Sequence, residues 1–107
     1  MDLELEQPLS FQPGQFAMLN LVGPDAFVFG RPFSILAARQ ATVSFLYRVM
    51  GRGTRRLADL SPGAAVSVLG PLGTPFPPPV SDEPAVLLAG GVGLPPLLAW
   101  WERYGGG

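Results

Sequence analysis

The stretch TVSFLYRVMGRGT, residues 42–54, decides the fold. Its first seven residues alternate. Val43, Phe45 and Tyr47 fall on one face, and Thr42, Ser44, Leu46 and Arg48 on the other, the two-residue period of a strand rich in β-branched and aromatic side chains. Then the period breaks. Gly53-Thr54 opens a different element, with Thr54 read as the N-cap of a short helix that carries Leu57 and Leu60 and closes at Ser61-Pro62-Gly63.

Strand signals continue outward from there. Residues 2–6 alternate with Leu3 and Leu5 on one side, and Pro13-Gly14 turns the chain into a second strand over residues 15–21. Gly23-Pro24-Asp25 marks another turn, and residues 32–36 read as a short strand. Downstream, residues 65–69 form a strand before a proline-rich connection, residues 71–79, which is stiff and extended like an interdomain linker. Residues 85–89 are a continuous apolar run of the kind found in central parallel strands, followed by a glycine turn and a helix over residues 94–104. No internal repeat is visible. The pattern predicts a mainly β unit of antiparallel strands with one short helix, then a single strand–turn–helix. The strand of that second part and its helix face of Leu94, Leu97, Leu98 and Trp101 are expected to lack cover. Either the chain is a fragment or a partner supplies that cover.

Composition removes most chemistries. The 107 residues include no Cys and no His, so no disulfide, thiolate nucleophile, thiolate-ligated iron–sulfur cluster or Ser-His-Asp triad can be built from them. Acid–base work would fall to eight carboxylates, none in an evident catalytic pair, so neither a catalytic side chain nor a metal site is assigned. Chemistry here is expected to need a borrowed cofactor. The net charge of −1 gives no basic patch for nucleic acid or an anionic membrane. All seven positive charges are Arg, the better planar fork for phosphate. Glycine and proline punctuate short apolar runs, as in a strand-and-turn protein.

Two long uncharged stretches are not spanning helices. Residues 60–81 hold six prolines, and residues 84–101 are interrupted by Gly90, Gly91, Gly93, Pro95 and Pro96. The start, Met1-Asp2-Leu3-Glu4, is acidic and unlike a signal peptide, so a cytoplasmic location is expected.

Three segments carry binding chemistry. Arg31-Pro32-Phe33-Ser34 places a guanidinium, a ring and a hydroxyl in one strand. Arg pairs with phosphate by two parallel bonds, and a ring lies against a flat heterocycle. Arg31 and Phe33 share a face and Ser34 points elsewhere; the plainer alternative is a surface strand with Arg31 solvated and Phe33 in the core. A helix starting at Gly53-Thr54 leaves backbone N–H groups free for an anion, with Arg55 and Arg56 nearby. Its plainer alternative is an ordinary capped helix. Gly90-Gly91-Val92-Gly93-Leu94-Pro95-Pro96 after an apolar run lets the backbone approach a pyrophosphate, or is merely a tight strand-to-helix turn.

In order, these segments resemble the ferredoxin-reductase-like flavoproteins, and among them the electron transfer subunits of class B dihydroorotate dehydrogenases. Pro13-Gly14-Gln15-Phe16, Arg31-Pro32-Phe33-Ser34-Ile35, Leu46-Tyr47-Arg48-Val49, Gly51-x-Gly53-Thr54 and Gly70-Pro71-Leu72-Gly73 all match that pattern. The resemblance implies an antiparallel Greek-key β-barrel that binds FAD over residues 1–80. It also implies the first β-α unit of a truncated α/β nucleotide-binding domain over residues 81–107. Arg31, Pro32, Phe33 and Ser34 would line FAD, Leu46, Tyr47 and Arg48 would touch the flavin–ribityl region through backbone, and Gly53 and Thr54 would hold the pyrophosphate. Gly90, Gly91 and Gly93 would border an NAD(H) site that is incomplete here.

The family passes electrons between NAD and a dihydroorotate dehydrogenase catalytic subunit, in pyrimidine biosynthesis, through an iron–sulfur cluster for which this chain has no cysteines. The resemblance implies truncation at both ends, and with it negligible NADH oxidation by this chain alone. Two other readings stay open. One is another NAD(P)H–flavin or ferredoxin reductase of the superfamily. The other is a non-catalytic β-barrel interaction or assembly module with a vestigial flavin site, or a homo-oligomer formed through the exposed C-terminal helix.

Overall fold

The computed structural model describes residues 1–24, 26–27 and 29–105. Among the described residues six short strands form: β1 (Asp2–Glu4), β2 (Phe16–Leu21), β3 (Arg31–Ser34), β4 (Ala37–Arg39), β5 (Thr42–Ser44) and β6 (Val66–Leu72). Helix α1 (Gly51–Ala58) lies between β5 and β6, and α2 (Leu94–Tyr104) follows a 3₁₀ turn at Gly91–Gly93. The protein is therefore mainly β.

The strands form two antiparallel sheets, ordered β1-β5-β4 and β3-β2-β6. Strand β2 shows why the sheets face one another. Ala17, Leu19 and Leu21 alternate as buried residues with half-buried Phe16, Met18 and Asn20, so one face is apolar and needs cover. Ala17 and Leu19 meet Val43 of β5, with Ile35 and Phe45, in one core cluster. Leu3 of β1 and Val66 and Val68 of β6 pack around it. A second cluster of Leu21, Phe27 and Leu57 seats α1 at the end of β2, flanked by Phe33, Tyr47 and Leu60.

The expected closed barrel is not what forms. Among the described residues no ladder joins the two sheets. Residues 42–48, expected to run as one strand, leave the ladder after Ser44. The burial alternation nonetheless persists, with Phe45 buried, Leu46 exposed, Tyr47 half-buried and Arg48 exposed. The side chains keep the strand's period because the core still takes every second one. The backbone of residues 46–48, however, belongs to no strand.

Two further expectations are corrected. Residues 85–89 form no strand; Val86 is 89% and Leu88 91% exposed. A central parallel strand is held by neighbours on both edges, and none of the described strands pairs with this run. Helix α1 begins at Gly51 rather than at Thr54. The chain reverses at Gly51, where φ is +76°, a conformation glycine adopts without steric cost. Thr54 instead sits one turn inside the helix. Its hydroxyl accepts from the Met50 N–H at 2.6 Å and donates to the Met50 carbonyl at 2.7 Å.

Helix α2 leaves much of the face expected to lack cover exposed, and it packs through other residues. Pro95, Pro96, Ala99 and Trp100 are buried, while Leu94, Leu98 and Trp101 remain exposed. The Trp100 indole donates to the Pro77 carbonyl at 3.0 Å, and Phe76 N–H donates to Pro13 O at 2.8 Å, so the proline-rich segment is tied down at both residues. No helix among the described residues is long and apolar enough to cross a membrane. Asp25 of the expected Gly23-Pro24-Asp25 turn lies outside the described residues; Gly23 itself accepts from Ala26 N–H at 3.0 Å.

The turn before β2 makes a stability prediction. Gly14 has φ +99°, and a Cβ there would lie 2.8 Å from the Phe76 backbone nitrogen. Gly23 has φ +96° with nothing within 4 Å. Gly23→Ala is expected to cost only the left-handed strain, about 1–2 kcal/mol. Gly14→Ala adds a clash with backbone and is expected to cost measurably more, read as a lower urea midpoint at unchanged m value.

Candidate functional site

A cleft of about 520 Å³ opens between β3 and the start of α1, lined by Arg31, Pro32, Phe33, Met50, Arg52, Gly53 and Thr54. Both walls follow from local sequence. Strand β3 pairs with β2 so that Phe33 lies opposite Ala17 and Arg31 opposite Leu19. Cross-strand partners share a face, so Arg31 and Phe33 point to the inner side, as their spacing predicts. At the end of the strand that side is no longer core but the mouth of the cleft. Phe33 closes its floor edge-on against Tyr47, with ring centroids 5.7 Å apart.

The opposite wall is the first turn of α1. Its N-cap, Met50, makes no side-chain cap bond, and no acidic residue lies in the first turn. The first amides of a helix have no intrahelical partner and carry a partial positive charge, which favours an anion. Arg31 and Arg52 add full charges beside them. Arg31 is close enough to that turn that a Cβ built on Gly53 would lie 3.4 Å from its Nε. Glycine thus leaves room for a guanidinium against the helix backbone. The Thr54 hydroxyl is engaged with Met50 on both sides, so this residue lines the cleft without a free hydroxyl proton.

The expected site residues separate in space. Arg31, Pro32, Phe33, Gly53 and Thr54 converge on one cleft. Ser34 is half-buried opposite Phe16 and does not line it. Leu46 and Arg48 are exposed outside it, and Tyr47 stands behind Phe33. Gly90, Gly91 and Gly93 are exposed at the start of α2, with nothing within 4 Å of a Cβ on any of them.

Met50, Arg52 and Phe27 were not singled out from sequence. Arg52 carried a signal, as the one side chain between Gly51 and Gly53. Phe27 carried none. It sits under Arg31, whose Cζ is 5.0 Å from the ring centroid.

A second hollow, of about 250 Å³, lies among residues 9–13, β4 and α2. Its charged groups are already engaged: Arg39 pairs with Glu102 at 3.0 Å, and Arg103 donates to the Phe11 carbonyl at 3.1 Å. The Arg39–Glu102 pair is exposed, so Arg39→Ala is expected to change stability by less than about 1 kcal/mol in urea denaturation.

No protein-family model matches the chain. Curated relatives do. A Methanopyrus kandleri protein named "Probable dihydroorotate dehydrogenase B (NAD(+)), electron transfer subunit" is 38% identical over 101 residues, 94% of this chain and 36% of the relative. Two proteins named "Dihydroorotate dehydrogenase B (NAD(+)), electron transfer subunit" are similarly close. The one from Geobacillus kaustophilus is 40% identical over 80% of this chain and 35% of its own length. The one from Bacillus cereus is 41% identical over 86% and 37%. The chain therefore spans about a third of the length of the curated relatives it matches.

Proposed function

The chain is a homologue of the dihydroorotate dehydrogenase B electron transfer subunits, and on that premise we propose that the cleft between β3 and α1 holds the diphosphate of FAD. The observation that carries this reading is the approach of the Arg31 guanidinium to the uncapped first turn of α1 at Gly53. Two positive groups of different origin meet across a space that fits a phosphate chain. A guanidinium offers parallel N–H donors to phosphate oxygens, and helix amides offer more along the axis.

When bound, FAD supplies a redox centre that takes electrons in pairs and can release them singly. The chain's own groups bind and orient it. Arg31 and the amides at Gly53 and Thr54 neutralise the diphosphate, and Arg52 adds charge at the rim. Phe33, backed by Tyr47, and Pro32 give an apolar wall for the flavin side. Residues 46–48 belong to no strand, which leaves their backbone groups for the flavin and ribityl, and Ser34 is assigned to the ring edge.

On this reading residues 1–80 are a ferredoxin-reductase-like flavin unit, and residues 81–107 begin a nucleotide unit in which Gly90, Gly91 and Gly93 border NAD. The partner is the catalytic subunit of a cytoplasmic dihydroorotate dehydrogenase, to and from which the flavin passes electrons. The exposed Leu98 and Trp101 of α2 are assigned to a protein contact.

The test is reconstitution. The purified chain, incubated with FAD and desalted by gel filtration, is expected to elute with flavin absorbance in near-stoichiometric amount. A folded protein that elutes colourless would overturn the assignment.

A further inference from the structure

Asn20 and Phe27 do not line the cleft, yet Phe27 lies directly under the Arg31 guanidinium and Asn20 holds Phe27. Asn20 lies on β2, and its side-chain amide grips both polar groups of Phe27's backbone. The Asn20 Oδ1 accepts the Phe27 N–H at 2.8 Å, and Nδ2 donates to the Phe27 carbonyl at 3.3 Å. Phe27 lies in the connection between β2 and β3 and belongs to none of the described strands, so these two bonds stand in for a ladder. The ring they fix is 8% exposed and packs with Leu21 and Leu57.

That one ring lies near both walls of the cleft. Its face lies 5.0 Å from Arg31 Cζ, and its Cε1 and Cζ lie 3.7 Å from where a Gly53 Cβ would be. An aromatic face carries partial negative charge and attracts a guanidinium laid over it. A guanidinium held by its face keeps its N–H donors in the plane at the edge. Here Nη1 makes one long bond to the Phe29 carbonyl at 3.4 Å, and Nε and Nη2 make none among the described residues. A long side chain otherwise loses rotamer freedom when it grips an anion, and a side chain already held loses less.

We propose that Phe27, clamped by Asn20, is the positioning residue that pre-aims Arg31 across the first turn of α1 toward the diphosphate. The inference rests on the FAD reading, and the test separates the two. Fluorescence titration with FAD would compare the wild-type chain with Phe27→Leu, Arg31→Ala and the double variant. Leucine keeps the apolar contact with Leu21 and Leu57 but removes the ring face.

Phe27→Leu is expected to weaken FAD binding about fivefold. The same substitution is expected to add nothing in the Arg31→Ala background, because the ring acts through the guanidinium. A general loss of structure would weaken both backgrounds alike, and that result would overturn the proposal. So would full affinity in Phe27→Leu while Arg31→Ala binds weakly, an outcome that leaves the FAD reading standing. Unchanged affinity in Arg31→Ala would instead remove the FAD reading and this inference with it. Asn20→Ala, which releases Phe27 without removing any apolar side chain of the cluster, carries the same comparison if Phe27→Leu does not fold.

Discussion

Truncating Phe45 to alanine is expected to remove about 3–5 kcal/mol of folding stability. Phe45 is 1% exposed and belongs to the cluster in which Ala17 and Leu19 of one sheet meet Val43 of the other. Its N–H donates to the Met1 carbonyl at 2.8 Å, so the residue also ties the end of β5 to the start of β1. Removing the ring forfeits its transfer from water and leaves a cavity between two short-stranded sheets. Domains of this size hold about 5–15 kcal/mol in total, so the loss is a large share. Leu46, the next residue, is 50% exposed, and Leu46→Ala is expected to stay within about 0.5 kcal/mol. Urea denaturation of the two variants side by side checks this. Equal costs would mean that the burial alternation does not continue past β5.

Arg31→Ala is expected to weaken FAD binding about 10- to 100-fold, the span given by losing hydrogen bonds from a charged donor worth about 1.5–3 kcal/mol. Three features focus the loss on this residue. Its guanidinium is held over Phe27, it stands against the uncapped turn of α1, and no carboxylate among the described residues pairs with it. Arg39→Ala serves as the control, because Arg39 pairs with Glu102 and lies outside the cleft. Arg31→Lys is expected to recover only part of the affinity, since an ammonium keeps the charge but not the planar fork. Equilibrium titration by flavin fluorescence, with rising salt weakening the wild type more than Arg31→Ala, checks both points. Equal losses in Arg31→Ala and Arg39→Ala would remove Arg31 from the site.

What could be read from sequence was whatever a short period or a turn residue encodes. The alternation at Leu3 and at Val43-Phe45-Tyr47 is a local consequence of burying one face, and it reappears in the fold. Arg31 and the start of α1 were each read from sequence as anion-binding elements, and the structure brings both to one cleft.

What could not be read depends on distant partners. Strand β4, Ala37–Arg39, has no β-forming composition and exists because it pairs with β5 across a tight turn at Gln40, whose φ is +55°. Residues 85–89 have strand composition, but none of the described strands pairs with them. The start of α1 shifted because the left-handed bend at Gly51 precedes the Thr54 hydroxyl, which then bonds backward to Met50. Phe27 carried no signal, since its importance lies in packing on Leu57, thirty residues away along the chain.

The central claim is that Arg31 and the first turn of α1 meet one diphosphate. Backbone and guanidinium NMR shifts of the labelled chain, followed while FAD is added and again with ADP, test it most directly. Saturable shifts are expected at the amides of Arg52, Gly53 and Thr54 and at Arg31 Nε with both ligands. Shifts that spare these four groups, while FAD still binds elsewhere on the chain, would contradict it.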